Sequence, residues 1–166
     1  MKQESHPLFK PHLGWPVVLD SNLLLLHWCA GFDPFLIKTF KRLNEFEPVD
    51  LYILEELLQV LGGLWTTPHV LTEASNLANA LPAWRKSEWA AYLQDRVPLI
   101  YEFHEPAATI LTDPLWAAFG LTDAALSRLA SNHLIVTIDW RLASSLQARG
   151  LAALNFKHLR PRRLAI

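Results

Sequence analysis

"LIVTIDWRLASSLQARGLAALNF", Leu134 to Phe156, carries a strand, a helix and a second strand in 23 residues. "LIVTID" is a short β-branched run, the mark of a strand buried on both faces. "WRLASSLQARG" repeats its apolar residues at helical spacing and stops at Gly150, a good helix terminator. "LAALNF" is apolar again. A strand, a helix of about ten residues and a second strand make a βαβ unit, which needs a parallel sheet covered by helices.

The rest of the chain repeats this alternation. "PVVLD" after Pro16 reads as a buried strand and "SNLLLLHWCAG" as a helix ending near Gly31. Helices are expected from Pro34 to Leu43 and over "LYILEELLQVLGG", which ends at Gly62 and Gly63. "LWTT" is a brief strand. Thr67-Pro68 then supplies an N-cap and a proline at the first helical position, opening a helix to about Leu81. A polar helix, "AWRKSEWAAYLQDR", a strand or extended segment, "LIYEFHE", and a helix, "LTDAALSRLASN", capped by Thr122, complete the order. With right-handed crossovers, the expected fold class is α/β: a three-layer α/β/α sandwich around a central parallel β-sheet. The expected organisation is one domain over 1–166, with its core at about 16–156, an N-terminal arm at 1–15 and a basic C-terminal tail at 157–166.

Half of the 166 residues are hydrophobic and 19% are charged, a composition that folds rather than remaining disordered. The formal charge of −1 argues against a strongly basic protein with a broad phosphate-binding surface. Cys29 is the single cysteine, so neither an intrachain disulfide nor a cysteine metal knuckle can form. The N-terminus lacks the continuous apolar core of a signal peptide. The run from Pro16 to Phe32 is short for a bilayer, and Asp20 would cost about 2.5–3.5 kcal/mol at its centre. A cytoplasmic protein without a membrane partner is expected.

Four acids stand where chemistry would use them. Asp20 and Asp139 each end a strand, at the edge where open parallel sheets bind ligands. On "PHVLTEASNLANAL", steps of 100° per residue put Glu73 at the rim of the apolar stripe, in line with His69 and Asn76. Asp123 shares a helix face with Leu126 and Ala130. Each also has an ordinary reading: Asp20 and Asp139 as helix N-caps, Glu73 as a solvated residue, Asp123 as a partner of the helix dipole. If the four converge, physics requires more. Two carboxylates 4 Å apart repel by about 4 kcal/mol at an effective dielectric of 20, so such a group raises its own pKa values or takes up cations. Hard oxygen ligands suit Mg²⁺ or Mn²⁺.

These motifs, "VVLDSNLLL", "TPHVLTEASNLA", "GLTDAALSRLA" and the opening stretch, resemble in order those of the PIN-domain family of metal-dependent ribonucleases, which includes the VapC-type toxins of bacterial toxin–antitoxin pairs. The resemblance spans nearly the whole chain. It implies a Mg²⁺- or Mn²⁺-dependent endoribonuclease in which Asp20, Glu73, Asp123 and Asp139 surround the metal, while Asn22 and Thr137 orient a carboxylate or a water behind it. It also implies an RNA substrate, a cognate antitoxin as partner and a homodimer. Many relatives carry a further acid one turn after the third carboxylate, whereas Leu126 and Ser127 stand there, which puts two-metal occupancy in doubt.

His69 and Glu73 share a helix face, but no second histidine completes a zinc site. Cys29 lies in an apolar run, as core residues do. Trp28, Trp65 and Trp116 read as core or subunit interface, whereas Trp140, next to Asp139, could stack on a base. Lys157, Arg160, Arg162 and Arg163 make the tail basic, as a solvated end or as a contact for RNA phosphate. Two alternatives stay open: a catalytically quiet PIN-like interaction module, and a PIN nuclease outside toxin–antitoxin systems. A haloacid-dehalogenase-like phosphatase also begins strand–Asp, but it wants a second Asp where Asn22 stands.

Overall fold

The structure is a computed structural model describing residues 7, 8 and 10–161; Arg162 and Arg163 lie outside the described residues. Five strands, β1 (Val17–Leu19), β2 (Leu64–Thr66), β3 (Tyr101–Glu102), β4 (Leu134–Thr137) and β5 (Ala153–Asn155), form one sheet in the order β3-β2-β1-β4-β5. Every pairing is parallel, with Val18 beside both Trp65 and Ile135 in the registers on its two sides. The chain winds from β1 outward through β2 to β3, then returns to lay β4 on the other side of β1. The reversal point therefore falls between β1 and β4, and Asp20 and Asp139 follow the strands that flank it.

Helices cover the sheet on both faces, giving the expected α/β/α sandwich. Right-handed crossovers require it, since the connections run in opposite directions on the two sides of β1. Helix α1 (Ser21–Phe32) is apolar nearly all round, and Leu23, Leu24, Leu25 and Leu26 are all buried. A helix without a polar stripe has to lie inside. It packs against α2 (Leu36–Thr39), α3 (Pro48–Val60), α4 (Pro68–Ala78) and α5 (Lys86–Arg96). The short α6 (Ala107–Ile110) and α7 (Trp116–Phe119) lead into α8 (Leu121–Leu129), and α9 (Trp140–Ala148) lies on β4 and β5.

Local chemistry sets most boundaries. Thr67 caps α4 through Val70 N–H at 3.3 Å, with Pro68 at the first helical position. The paired glycines after α3 have separate reasons. A Cβ on Gly62 would collide with the Gly14 carbonyl oxygen, and Gly63 has a φ of +117°. Helix α3 starts earlier than expected, at Pro48, because Glu47 and Asp50 form a capping box there.

Four expectations are corrected. Pro34 to Leu43 is not one helix: it breaks at extended Phe40 into α2 and a 3₁₀ turn over Lys41–Leu43. Helix α4 ends at Ala78, short of Leu81. Thr122 is inside α8, not its cap, because Gly120, with a φ of +89°, takes the N-cap position. Trp116, read as core or subunit interface, is exposed on short α7, so the core half of that reading fails, while Trp28 is buried. Cys29 is core as expected, and burial pushes its thiol up to about 12. No helix among the described residues is long and apolar enough to cross a membrane.

Candidate functional site

The strand ends that flank the reversal point meet through hydrogen bonds. Asp20 is 7% exposed, and both of its carboxylate oxygens are engaged. Oδ1 accepts from Leu23 N–H at 2.8 Å and so caps α1. Oδ2 accepts from the Thr137 hydroxyl at 2.6 Å and from Ile138 N–H at 2.8 Å, across the gap between β1 and β4. Capping and site-building are thus one arrangement. Burial pushes the Asp20 carboxyl above its ordinary value, and the bonds from Thr137, Leu23, Ile138 and Asn22 N–H draw it back in part.

Thr137 serves both strand-end acids. Its oxygen also accepts from Asp139 N–H at 3.0 Å, while Asp139 Oδ1 caps α9 through Arg141 and Leu142 N–H at 2.8 and 3.3 Å. The side chain of Asp139 is exposed, as is that of Glu73 on α4. Ser21, buried at the start of α1, donates to Glu73 Oε2 at 2.9 Å. The close packing of α1 on α4 makes that bond possible. Ser21 escaped sequence reading; its trace was a small polar residue directly after Asp20 in an otherwise apolar run. Asn22, expected to orient a carboxylate, acts on Asp20 through its backbone N–H.

Asp123, in the first turn of α8, completes the group. Burial and then the charges of Asp20, Glu73 and Asp139 push its carboxyl up to about 7. All three other candidate acids therefore act on this one carboxyl, although the four come from separate chain segments. The packing of α8 against both α4 and β4 sets it there. Ser127, one turn further on, is occupied elsewhere: it donates to buried Asp113 at 2.9 Å and accepts from Arg149 at 2.8 Å.

In kind, the donor set suits a hard divalent cation, since it is made of carboxylate oxygens. Burial first, and then the neighbouring charges, raise the Asp123 carboxyl to about 7. The spacing is looser than a loaded site: among the described residues, no three His, Cys, Asp or Glu side chains are grouped closely enough to hold a metal ion as they stand. That includes His69 and Glu73.

The residues considered for RNA contact divide. Trp140 is 65% exposed beside Asp139. Arg160 instead grips fully buried Asp50 with two bonds of 2.7 Å, and Lys157 pairs with Glu45 at 3.0 Å. Both cations therefore tie the chain's end to the α3 region. Compared with protein-family models, curated proteins and solved structures, the chain matches none.

Proposed function

We propose that this chain is a metal-dependent endoribonuclease that hydrolyses RNA phosphodiester bonds, as the toxin half of a toxin–antitoxin pair. The observation that carries the reading is the pressure of Asp20, Glu73 and Asp139 on Asp123, at the crevice where a parallel sheet reverses its winding. Among the described residues none of these four acids has an ion-pair partner, carboxylates that press on one another call for a cation, and the order of the motifs resembles that of the PIN ribonucleases.

Asp20, Glu73, Asp123 and Asp139 would hold Mg²⁺ or Mn²⁺. When bound, the cation supplies positive charge that stabilises a phosphoryl transition state. The chain's own groups prepare the site. Thr137 and Ile138 N–H keep Asp20 in one orientation, and Ser21 holds Glu73. Burial and the three neighbouring charges raise the Asp123 carboxyl to about 7, so a cation held there would displace a proton. Trp140 offers a stacking face for a base beside the scissile phosphate. An antitoxin would cover the acidic crevice with an Arg or Lys.

A second reading, a catalytically quiet interaction module of the same type, draws on the absence of a tight three-ligand cluster among the described residues. Calorimetric titration with Mn²⁺ and RNA cleavage by wild type and Asp20→Asn separate the two. A nuclease binds Mn²⁺ and cleaves RNA, and the folded variant does not cleave. Full activity in folded Asp20→Asn refutes the site assignment, and a folded wild type that ignores Mn²⁺ favours the quiet module.

A further inference from the structure

A groove of about 430 Å³ runs along α4 to the start of α8 and reaches the acids, because Glu73 lines it. Its size lies within the range of about 300–1,000 Å³ usual for small-ligand sites. Pro68, Thr72 and Asn76 follow one another at four-residue spacing and so share one face of α4. Leu121 and Thr122 form the facing wall, brought there by the turn at Gly120.

Two properties of the lining restrict what it can take. No lysine or arginine is among the described residues that line it, and Glu73 is its one carboxylate, so the wall is not built to hold phosphate. The Thr72, Asn76 and Thr122 side chains make no hydrogen bond to another described residue, and His69, which also lines the groove, buries its Nδ1 without a partner. The groove thus offers neutral donors and acceptors above the apolar surfaces of Pro68 and Leu121. A carboxamide presents one donor and one acceptor side by side, the pattern that reads a base edge.

We propose that this groove is a nucleobase subsite, in which Asn76, with Thr72 and Thr122, reads the base of the nucleotide adjoining the phosphate held at the acids. The proposal rests on the nuclease reading for its substrate. Its placement follows from the chain itself: Thr122 directly precedes Asp123, and Glu73 belongs to both groove and acid group. The groove chooses the sequence, and the acids cut it.

The test has a metal-free arm and a cleavage arm. In EDTA, labelled protein is titrated with the four nucleoside 5′-monophosphates and with ribose 5-phosphate, following the Asn76 amide and the Thr72 and Thr122 methyl signals by NMR. The expected result is saturable shifts at these groups, with affinities differing by about tenfold between the best and worst base, and none with ribose 5-phosphate. Asn76→Ala removes the difference. Absent shifts, or equal shifts with the base-free sugar phosphate, overturn the subsite.

With Mn²⁺ and random-sequence RNA, wild type shows a preference of about tenfold at one nucleotide flanking the cut, falling to about twofold or less in Asn76→Ala. Ser75→Ala, on the same helix but outside the groove, retains the preference. Survival of the preference in Asn76→Ala overturns the proposal. Base-selective shifts in a protein that cleaves no RNA would sink the nuclease reading while upholding the subsite. Cleavage without groove shifts would sink the subsite alone.

Discussion

The Thr137 hydroxyl, at the end of β4, donates to Asp20 Oδ2, just past the end of β1, across 2.6 Å. The two residues are 117 positions apart in the chain, and the parallel pairing of β1 with β4 brings them level. The bond joins the two strands at the point where the sheet reverses, and the same Thr137 oxygen receives Asp139 N–H.

Thr137→Val keeps the shape and removes the hydroxyl. Buried Asp20 then loses a donor, at a cost of about 1–3 kcal/mol. Its carboxyl, already raised by burial, rises further, because the Thr137 bond lowers it. Urea denaturation measures the loss, and under the proposed function Mn²⁺ affinity drops with it.

Asp123 sets a pH dependence whose sign is fixed. Its folded carboxyl is raised to about 7, against about 3.9 in an unfolded chain. The folded state therefore binds more protons over this interval, and its contribution to stability is complete below about pH 4 and is lost as pH rises through about 7. Metal-free wild type is expected to lose stability between pH 5 and 7.5 relative to Asp123→Asn, the comparison that cancels the opposite slope of His12, His27 and His133, which burial holds below the ordinary histidine value. Denaturation midpoints at the two pH values, with and without the substitution, check it.

Arg160→Ala strands Asp50. That carboxylate is fully buried and takes two bonds from the guanidinium. Removing one member of a buried ion pair costs about 3–5 kcal/mol, and the partly exposed Arg160 puts this case at the lower end, about 3 kcal/mol. Chemical denaturation reads it directly. Equal stability of the variant would show that the C-terminal segment is not anchored through this pair.

Trp140→Ala should leave stability within about 0.5 kcal/mol, since the indole is largely exposed. Under the proposed function it weakens RNA binding by about 1–3 kcal/mol through lost stacking. Fluorescence anisotropy with a short RNA and Asp20→Asn protein separates binding from cleavage.

Much of this molecule was legible along the chain. The buried strands, the βαβ unit at Leu134 to Phe156 and the apolar helix after Asp20 announce themselves because each is a local pattern, and the parallel sheet follows from their alternation. Asp20 and Asp139 at strand ends and Glu73 at a stripe edge were legible for the same reason. The broken helix after Pro34 and the cap at Gly120 were misread because helix formers continue through both, while extended Phe40 and positive-φ Gly120 set the turns.

Local pattern is enough to place most strands and helices, their apolar faces and the acids that border those faces, since periodicity is a property of neighbours in the chain. Tertiary structure alone decided that Ser21 holds Glu73, that Thr137 holds Asp20, and that Arg160 serves Asp50 rather than standing free. Such bonds need two distant elements in a particular register and packing, so no short window of residues contains them.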